Sequence, residues 1–281
     1  MMRSDGDFYV QFWGVRGSIP CPGPDTVRYG GNTSCLEVRA GDHLFVLDAG
    51  TGLRALDRAL AGRAAAGPLD ADVMFTHSHL DHINGWASFT ALHDPRHHFH
   101  VWAGHLRPPH TLEDVLNRFL DDPLSPVHVG NVRAGLTYHE FKAGASLNPR
   151  PGVTVKTAPL NHPNNATGYR IEAGGKAICY VTDTEHVIGQ PDRAVLGLVA
   201  GADIMIYDAT YTDEEYPNFV GWGHSTWQEG VRLADAAGVK QFVAFHHDPN
   251  HGDATMDRIA AELERARPGS VVAREGMVLR P

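Results

Sequence analysis

The chain has 281 residues, of which 42% are hydrophobic, and a formal net charge of −9 when its 18 histidines are counted as neutral. A chain of this size can bury a sizeable core within one large α/β domain. The negative charge gives no overall attraction for a nucleic-acid backbone, so a long polyanionic substrate is disfavoured. No apolar run approaches the length of a membrane span, so we expect no membrane partner.

The cysteines and the N-terminal segment bear on the cellular compartment. Three widely separated cysteines, without metal-type spacing, are typical of reduced thiols rather than of a disulfide framework. Residues 1–7 are mostly polar, and the apolar stretch that follows is interrupted by Gln11, Arg16 and Pro20, unlike a signal peptide. These features predict a cytoplasmic protein.

Strand-like runs alternate with helical segments along the whole chain, and the first run is strand-like. Runs rich in β-branched and aromatic residues predict strands at 8–15, 35–38, 43–47, 73–76, 153–157, 177–181, 204–207 and 241–245, with short ones at 271–273 and 277–279. N-cap residues predict helices at 53–63, 115–120 and 256–266, and a Ser225/Gln228 capping box predicts one from 225 to about 237.

Interleaved strands and helices predict a layered α/β or α+β arrangement in one domain of residues 1–281. The stretch 93–135 is rich in proline, histidine and aspartate, and contains one short predicted helix. It predicts an insertion near the functional site rather than a separate domain.

The strongest chemical signal is the segment 76–82, which reads Thr-His-Ser-His-Leu-Asp-His directly after an apolar strand. Three imidazoles and a carboxylate are costly to bury so close together, whereas metal ions neutralise the carboxylate and accept the nitrogen lone pairs. These donors suit zinc, and also manganese or iron. The segment therefore predicts a metal site built from His77, His79, Asp81 and His82.

The run from His77 to His82 resembles the signature of the metallo-β-lactamase superfamily, whose fold is a four-layer αββα sandwich with a dinuclear site at one edge. Asp48, after a strand, matches the family's aspartate that supports the site without binding metal. His162 matches its lone histidine ligand, Asp183 its bridging carboxylate and His246 its last ligand, although the neighbouring His247 leaves that register open.

The resemblance implies two divalent metal ions, most simply Zn²⁺, with Mn²⁺ or Fe²⁺ as alternatives. The implied ligands are His77, His79 and His162 for one ion, Asp81, His82 and His246 for the other, and Asp183 between them. A hydroxide that bridges the ions would be the nucleophile, because coordination lowers the pKa of water. Asp81 is thereby counted with the catalytic residues as well as with the ligands.

A second signature is similar to the phosphodiesterase branch of this superfamily, notably ribonuclease Z and related cyclic phosphodiesterases. It consists of Tyr-Asp-Ala-Thr at 207–210 and Gly-His-Ser-Thr at 223–226. The resemblance implies that His224 faces the scissile phosphate and is oriented by Asp208. His224 could then stabilise the transition state or protonate the leaving oxygen.

The substrate is expected to be a small phosphodiester such as a cyclic nucleotide. Ribonuclease Z proper carries a basic tRNA-clamping arm between its histidine and aspartate ligands, but here only twenty residues separate His162 from Asp183. Glycine-rich loops near the N-terminus also resemble this branch. The candidate substrate contacts are Asn32 and Thr33 in those loops, and Tyr211 and Trp222, which could stack on a base or pack against a second subunit.

Three other functions compete with this hypothesis. A thioester or lactone hydrolase of the glyoxalase II or lactonase type would use the same ligand set, and a ribonuclease Z-like endonuclease would use the same chemistry on RNA. A metal-binding interaction module would bind metal without turnover. Because relatives in this branch often form homodimers, we also expect a homodimer.

Overall fold

The strands form two mixed seven-stranded sheets in a computed structural model that describes residues 7–64, 67–125 and 129–281. The first sheet has the order β14-β1-β2-β3-β4-β5-β6, with β1 Phe8–Gly14, β2 Cys35–Ala40, β3 His43–Leu47, β4 Asp70–Phe75, β5 His98–Ala103, β6 Gly135–Glu140 and β14 Val278–Leu279. The second has the order β13-β12-β11-β10-β9-β8-β7, with β7 Ser146–Arg150, β8 Val153–Leu160, β9 Ala166–Ala173, β10 Lys176–Val181, β11 Ile204–Asp208, β12 Gln241–Phe245 and β13 Val271–Val272.

Six α-helices are present in the described residues. They are α1 Leu53–Ala64, α2 Leu80–Ile83, α3 Leu112–Phe119, α4 Arg193–Val199, α5 Trp227–Ala236 and α6 Asp253–Ala266. None of the helices described is long and apolar enough to span a bilayer.

Three apolar layers hold these elements together. Leucines of α1 and α3 pack with Val73 and Phe99 on the outer face of the first sheet. Residues of α4, α5 and α6 pack on the outer face of the second sheet. Between the sheets, Phe12 and Phe45 of the first meet Tyr180 and other residues of the second. The four-layer αββα sandwich is confirmed, and because its middle layer draws on both halves of the chain, we propose a single domain.

Four strands and two helices were not predicted from the sequence: β5, β6, β7, β9, α2 and α4. α2 has only four residues, too few for a periodic apolar pattern. β5 alternates polar and apolar residues, and its polar positions are histidines, so composition alone assigned it to the segment 93–135. It lies inside the first sheet between β4 and β6. We therefore propose that any insertion is limited to the residues after β5. β6, β7, β9 and α4 lack long apolar runs or contain Gly or Pro, which weakens their sequence signal.

The start of α5 also differs from the prediction by one residue. Thr226, rather than Ser225, is the N-cap, because its side chain accepts a hydrogen bond from the backbone N–H of Glu229. Ser225 is buried and lies close to the Tyr207 hydroxyl instead, at 2.9 Å between the two oxygens. The capping pair is therefore Thr226 and Glu229, and the Ser225/Gln228 assignment was wrong.

Strand direction determines where functional side chains gather. In the first sheet β3, β4 and β5 run parallel, and in the second β10, β11 and β12 run parallel. The carboxyl ends of parallel strands meet at one edge of a sheet, which is where α/β proteins commonly build sites. The turns after these strands carry most of the candidate ligands.

Candidate metal centre

The seven predicted ligands lie together in two adjacent groups. His77, His79 and His162 form one group, and Asp81, His82, Asp183 and His246 form the other, with the ligand atoms of each group within 4.8 Å of one another. His82 Nε2 lies 3.2 Å from both Asp81 Oδ2 and Asp183 Oδ2. Asp183 reaches the first group through Oδ1, which is 3.8 Å from His77 Nε2. Asp183 therefore stands between the two groups.

Unpartnered nitrogen atoms show that these groups suit a cation. Nε2 of His77, His82 and His246 is buried without a hydrogen-bond partner among the described residues. Such atoms are costly unless something accepts their lone pairs. The separations of 3.2–3.8 Å between ligand atoms are close to the edge of about 3.3 Å expected for a tetrahedron with zinc–nitrogen bonds of about 2.05 Å. A histidine–aspartate cluster of this form indicates divalent metal ions.

The other ring nitrogen, Nδ1, of three candidate ligands contacts a polar group outside the cluster. His82 Nδ1 donates to Asp48 Oδ2 at 2.8 Å, and His162 Nδ1 donates to the Gly223 carbonyl at 2.7 Å. His246 Nδ1 lies 3.1 Å from Thr210 Oγ1. These contacts fix ring orientation and tautomer, and leave Nε2 free to act as a ligand.

Asp48 lies behind the cluster and contacts one candidate ligand, His82. Besides His82, it accepts hydrogen bonds from the Thr76 backbone at 2.8 Å and from the Tyr180 hydroxyl at 2.9 Å. Its carboxylate therefore ties β3, β4 and β10 together behind the cluster. Thr76 and Tyr180 were not found from the sequence, because neither belongs to a ligand motif.

Burial and neighbouring charges shift the pKa values of the cluster residues. Burial alone would raise the pKa of the Asp183 carboxyl, but the imidazoles of His246 and His82 outweigh it and hold the pKa well below its usual range. Burial lowers the pKa of His77 well below its ordinary value. An ionised Asp183 and a neutral His77 are the protonation states that metal binding requires. Burial would lower the pKa of His82, but the Asp183 and Asp81 carboxylates outweigh it and raise this pKa well above its ordinary value, so a metal ion would displace a proton there.

Backbone strain concentrates at the cluster. In the described part of the chain, six non-glycine residues have positive φ: Ser18, Asp48, Asn164, Asn165, Asp183 and His246. Asp183 and His246 belong to the cluster, and Ser18 donates its backbone N–H to Asp81 at 2.9 Å. Asn164 Nδ2 lies 3.3 Å from His79 Nε2. Residues in this conformation cost about 1–2 kcal/mol each and cluster at functional sites, and a sequence shows them only weakly.

His224 and Asp208 form the predicted pair beside the cluster. His224 Nδ1 donates to Asp208 Oδ2 at 2.9 Å, and its ring stacks on His246 with 4.9 Å between centroids. Burial disfavours the charged imidazole, but the Asp208 carboxylate outweighs it and raises the pKa of His224 to about 9. The Thr184 backbone N–H also donates to Asp208, which fixes the carboxylate.

The predicted substrate contacts differ in their exposure. Thr33 is fully buried and its hydroxyl accepts a hydrogen bond from the Thr51 backbone, so it does not fit a contact with substrate. Tyr211 is 4% exposed and stacks on Phe219. Asn32 donates its backbone N–H and its amide to Glu275.

Trp222 differs from these three. Its side chain is 64% exposed and packs edge-on against Phe219, two residues before His224. Of the four predicted contacts it is the most exposed, and Asn32 is half-buried.

The structure separates His246 from its neighbour. His246 lies in the cluster, whereas His247 Nε2 donates to the Ala273 carbonyl at 2.8 Å. The register predicted from the family pattern therefore agrees with the geometry.

Arg107 is a neighbour of the cluster that sequence reasoning missed. Its guanidinium is exposed and donates to Asn165 Oδ1 at 2.9 Å, beside the loop that carries His162. The consecutive asparagines at 164 and 165, which tolerate positive φ, were the available signal for that turn.

An αββα sandwich that carries this cluster at one edge defines a metal-dependent hydrolase. Residues 43–247 match the family model described as Beta-lactamase superfamily domain. Ribonuclease Z of Mycobacterium tuberculosis is 32% identical over 248 residues, which cover 83% of this chain and 84% of that protein. The chain therefore belongs to the metallo-β-lactamase superfamily, in its ribonuclease Z-like branch.

Two further comparisons give shorter or structural similarity. Ribonuclease Z of Brevibacillus brevis is 34% identical over 103 residues, which are 35% of this chain and 31% of that protein. The crystal structure of the metallo-β-lactamase fold protein YhfI from Bacillus subtilis aligns with a TM-score of 0.73 at 18% identity, and covers 98% of this chain and all of that one. This second likeness concerns the fold alone.

Proposed function

We propose that the protein hydrolyses phosphodiesters with two metal ions held by the seven clustered side chains. His77, His79 and His162 would hold one ion, Asp81, His82 and His246 the other, and Asp183 both. The three buried Nε2 atoms without partners support this assignment. When bound, the ions would supply Lewis-acid activation of water and of a phosphoryl oxygen.

Zinc is the metal we propose, because the donors are imidazoles and carboxylates in groups of three or four. Manganese and iron accept the same donors and are the alternatives. Metal analysis of protein grown in a medium that contains all three metals would separate them.

The observation that carries the phosphodiesterase assignment is the pair His224 and Asp208 beside the cluster. Asp208 accepts from Nδ1 at 2.9 Å, so Nε2 of His224 is left for the substrate. A charged imidazole at this place would stabilise a developing phosphorane charge or give its proton to the leaving oxygen. Because both of these roles need a proton on Nε2, we count His224 as a catalytic residue and Asp208 as its positioning residue.

The substrate proposal is a small phosphodiester, with RNA as a second candidate. Between His162 and Asp183 the chain forms only a short loop and the β9–β10 hairpin, which leaves no room for a clamping arm. The net charge is −9. The curated relatives named ribonuclease Z lean the other way and favour RNA. They also disfavour the thioester or lactone alternative.

Two exposed side chains beside the loop that carries His162 would contact such a substrate. Trp222 offers an exposed ring for stacking on a base, and Arg107 offers a cation for a phosphate or sugar oxygen. Both fit a nucleotide, either free or at the end of an RNA.

The test is a substrate panel with metal-loaded protein. The panel contains bis(p-nitrophenyl) phosphate, cyclic nucleotides, a tRNA precursor with a 3′ trailer, and a glutathione thioester. We expect phosphodiester turnover that falls about 10²–10⁴-fold in His224→Ala, while bound metal stays unchanged. His43→Ala, which removes an imidazole from β3, is the matched control and should keep full activity.

Two outcomes decide between the candidates. Cleavage of the tRNA precursor at much higher kcat/KM than of any cyclic nucleotide would replace the small substrate by RNA. Undiminished phosphodiester turnover in His224→Ala would overturn the role of the pair.

We propose that the protein is cytoplasmic. Its cysteines are free, with Cys35 and Cys179 buried, which suits the reducing cytoplasm. We retain the homodimer as a proposal, and light scattering of the metal-loaded protein tests it.

A further inference from the structure

A second group of imidazole and carboxylate side chains lies in the first sheet, at the ends of the strands that are opposite to the metal centre. Asp70 begins β4 and His98 begins β5, with His100 two residues further on the same face. β4 reaches the metal centre only at its other end, roughly 16 Å along the strand. One ligand atom from each of Asp70, His98 and His100 lies within 4.8 Å of the others.

Side chains of β6 contact one ring nitrogen of His98 and one of His100. His98 Nε2 lies 2.9 Å from Thr137 Oγ1, and His100 Nδ1 lies 3.1 Å from His139 Nε2. This leaves Nδ1 of His98 and Nε2 of His100, and the latter is 3.8 Å from Asp70 Oδ1. Histidine ligands are usually oriented in this way by a hydrogen bond at the other ring nitrogen. The pattern repeats the one seen at the metal centre, on unrelated residues.

The ring of His139 is itself fixed. It stacks on Trp102 with 3.9 Å between centroids and an interplanar angle of 13°. His100 therefore has a rigid partner, and little side-chain entropy remains to be lost when a ligand binds.

Local charge and access also permit a cation. Arg150 donates to both oxygens of Asp70, at 2.6 and 3.1 Å, and to Asp72 at 2.5 Å. These three groups carry a formal charge of −1. A carboxylate has about four acceptor positions, so Asp70 can contact Arg150 and one further cation. The side chains of His100 and Asp70 are 26% and 58% exposed. A hydrated ion can therefore reach them without unfolding.

We propose that Asp70, His98 and His100 form a separate, solvent-accessible site for a transition-metal dication. Two imidazoles and one carboxylate favour Zn²⁺, Ni²⁺ or Cu²⁺ over Mg²⁺ or Ca²⁺, which prefer all-oxygen sites. Water would fill the remaining positions. The site does not depend on the proposed hydrolysis.

The experiment uses the untagged protein loaded with two equivalents of zinc for the metal centre, freed of excess zinc and then titrated with Cu²⁺. We expect zinc to stay bound while about one further equivalent of Cu²⁺ binds, with nitrogen hyperfine coupling in its electron paramagnetic resonance spectrum. In the double variant His98→Gln/His100→Gln this equivalent should be lost. His43→Gln, a histidine of the neighbouring strand β3, is the matched control and should bind as the wild type does.

Two further measurements guard against misfolding. Asp70→Asn leaves both imidazoles in place, and we expect it to weaken Cu²⁺ binding at least about tenfold without changing the circular dichroism spectrum. Phosphodiester turnover should be unchanged in all of these variants. Wild-type protein that takes up no further equivalent, or a double variant that binds Cu²⁺ as the wild type does, would overturn the proposal.

Discussion

The two halves of the chain build the metal centre in different ways. The first half supplies four of the seven candidate ligands from one turn, 77–82, directly after β4. The second half supplies the other three from the ends of three separate strands: His162 after β8, Asp183 after β10 and His246 after β12.

The ligands of the first half are brought together by local structure, and those of the second half by the tertiary fold. The ligands of the first half are neighbours as soon as one turn forms. Those of the second half meet only when the second sheet has formed, and two of them, Asp183 and His246, also require positive φ. Loss of Asp183 should therefore affect both metal ions together, because its carboxylate stands between the two groups, whereas loss of a ligand of the first half should affect mainly one ion.

The largest effect is expected from Asp183→Ala. Its carboxylate oxygens lie within 3.3 Å of His82 and His246 on one side and within 3.8 Å of His77 on the other. Its loss should remove several kcal/mol of charge stabilisation, and lower kcat/KM on the order of a thousandfold. Metal analysis after dialysis should show both ions depleted. His79→Ala, which removes a ligand of the first half, should deplete mainly one ion. Equal depletion in the two variants would contradict the asymmetry.

A smaller effect, confined to the His162 side, is expected from Gly223→Ala. Gly223 has φ +85°, and an added Cβ would lie 2.3 Å from His162 Nδ1. The methyl group would displace His162 and break its hydrogen bond to the Gly223 carbonyl, so metal affinity should fall about 10–100-fold. Competition with a chelator measures that affinity.

Gly221→Ala is the matched control in the same loop. Gly221 has φ +92°, but an added Cβ meets nothing within 4 Å in the described structure. The backbone N–H groups of Gly221 and Gly223 both donate to Glu185. Because both residues have positive φ, the two alanine variants share its cost of about 1–2 kcal/mol. Gly221→Ala should therefore lower stability but keep metal affinity. The same loss of affinity in both variants would show that loop strain, not the contact with His162, is responsible.

The same asymmetry explains what the sequence revealed. The segment 77–82 predicts a metal site by itself, because four donors in six positions have no inexpensive structural explanation. Asp183 and His246 carry no such signal. Each is one polar residue after a strand, and only the family pattern assigned them.

Other features depend on contacts between distant segments, which a single sequence does not show. Tyr180 contacts Asp48 from the opposite sheet, and Arg107 reaches Asn165 across 58 positions. β5 was missed because its polar face carries histidines rather than residues typical of strands. Substrate contacts such as Thr33 were predicted from their position in a loop. Thr33 is fully buried, so it does not fit a contact with substrate.

A still smaller effect is expected from Tyr180→Phe, which cuts one link between the two halves. The Tyr180 hydroxyl donates to Asp48 Oδ2, the oxygen that also holds His82. Loss of a buried hydrogen bond to a carboxylate should cost about 1.5–3 kcal/mol in urea unfolding. Metal affinity should fall about tenfold, since Asp48 orients a ligand. Tyr169→Phe is the control, because its hydroxyl donates to the Phe75 carbonyl instead. It should lower stability similarly and leave metal affinity nearly unchanged.

The smallest effect is expected from Arg107→Ala, which tests whether the rim of the site belongs to the substrate or to the fold. If Arg107 contacts the substrate, its loss should raise KM several-fold with kcat nearly constant, because a contact made equally in ground and transition states changes only KM. If it serves only to hold the loop through Asn165, metal affinity and kcat should fall instead, as in Gly223→Ala. Arg107→Lys should recover part of the KM in the first case, since charge persists without the planar guanidinium. Arg118→Ala, an exposed arginine of α3, controls for the change in net charge.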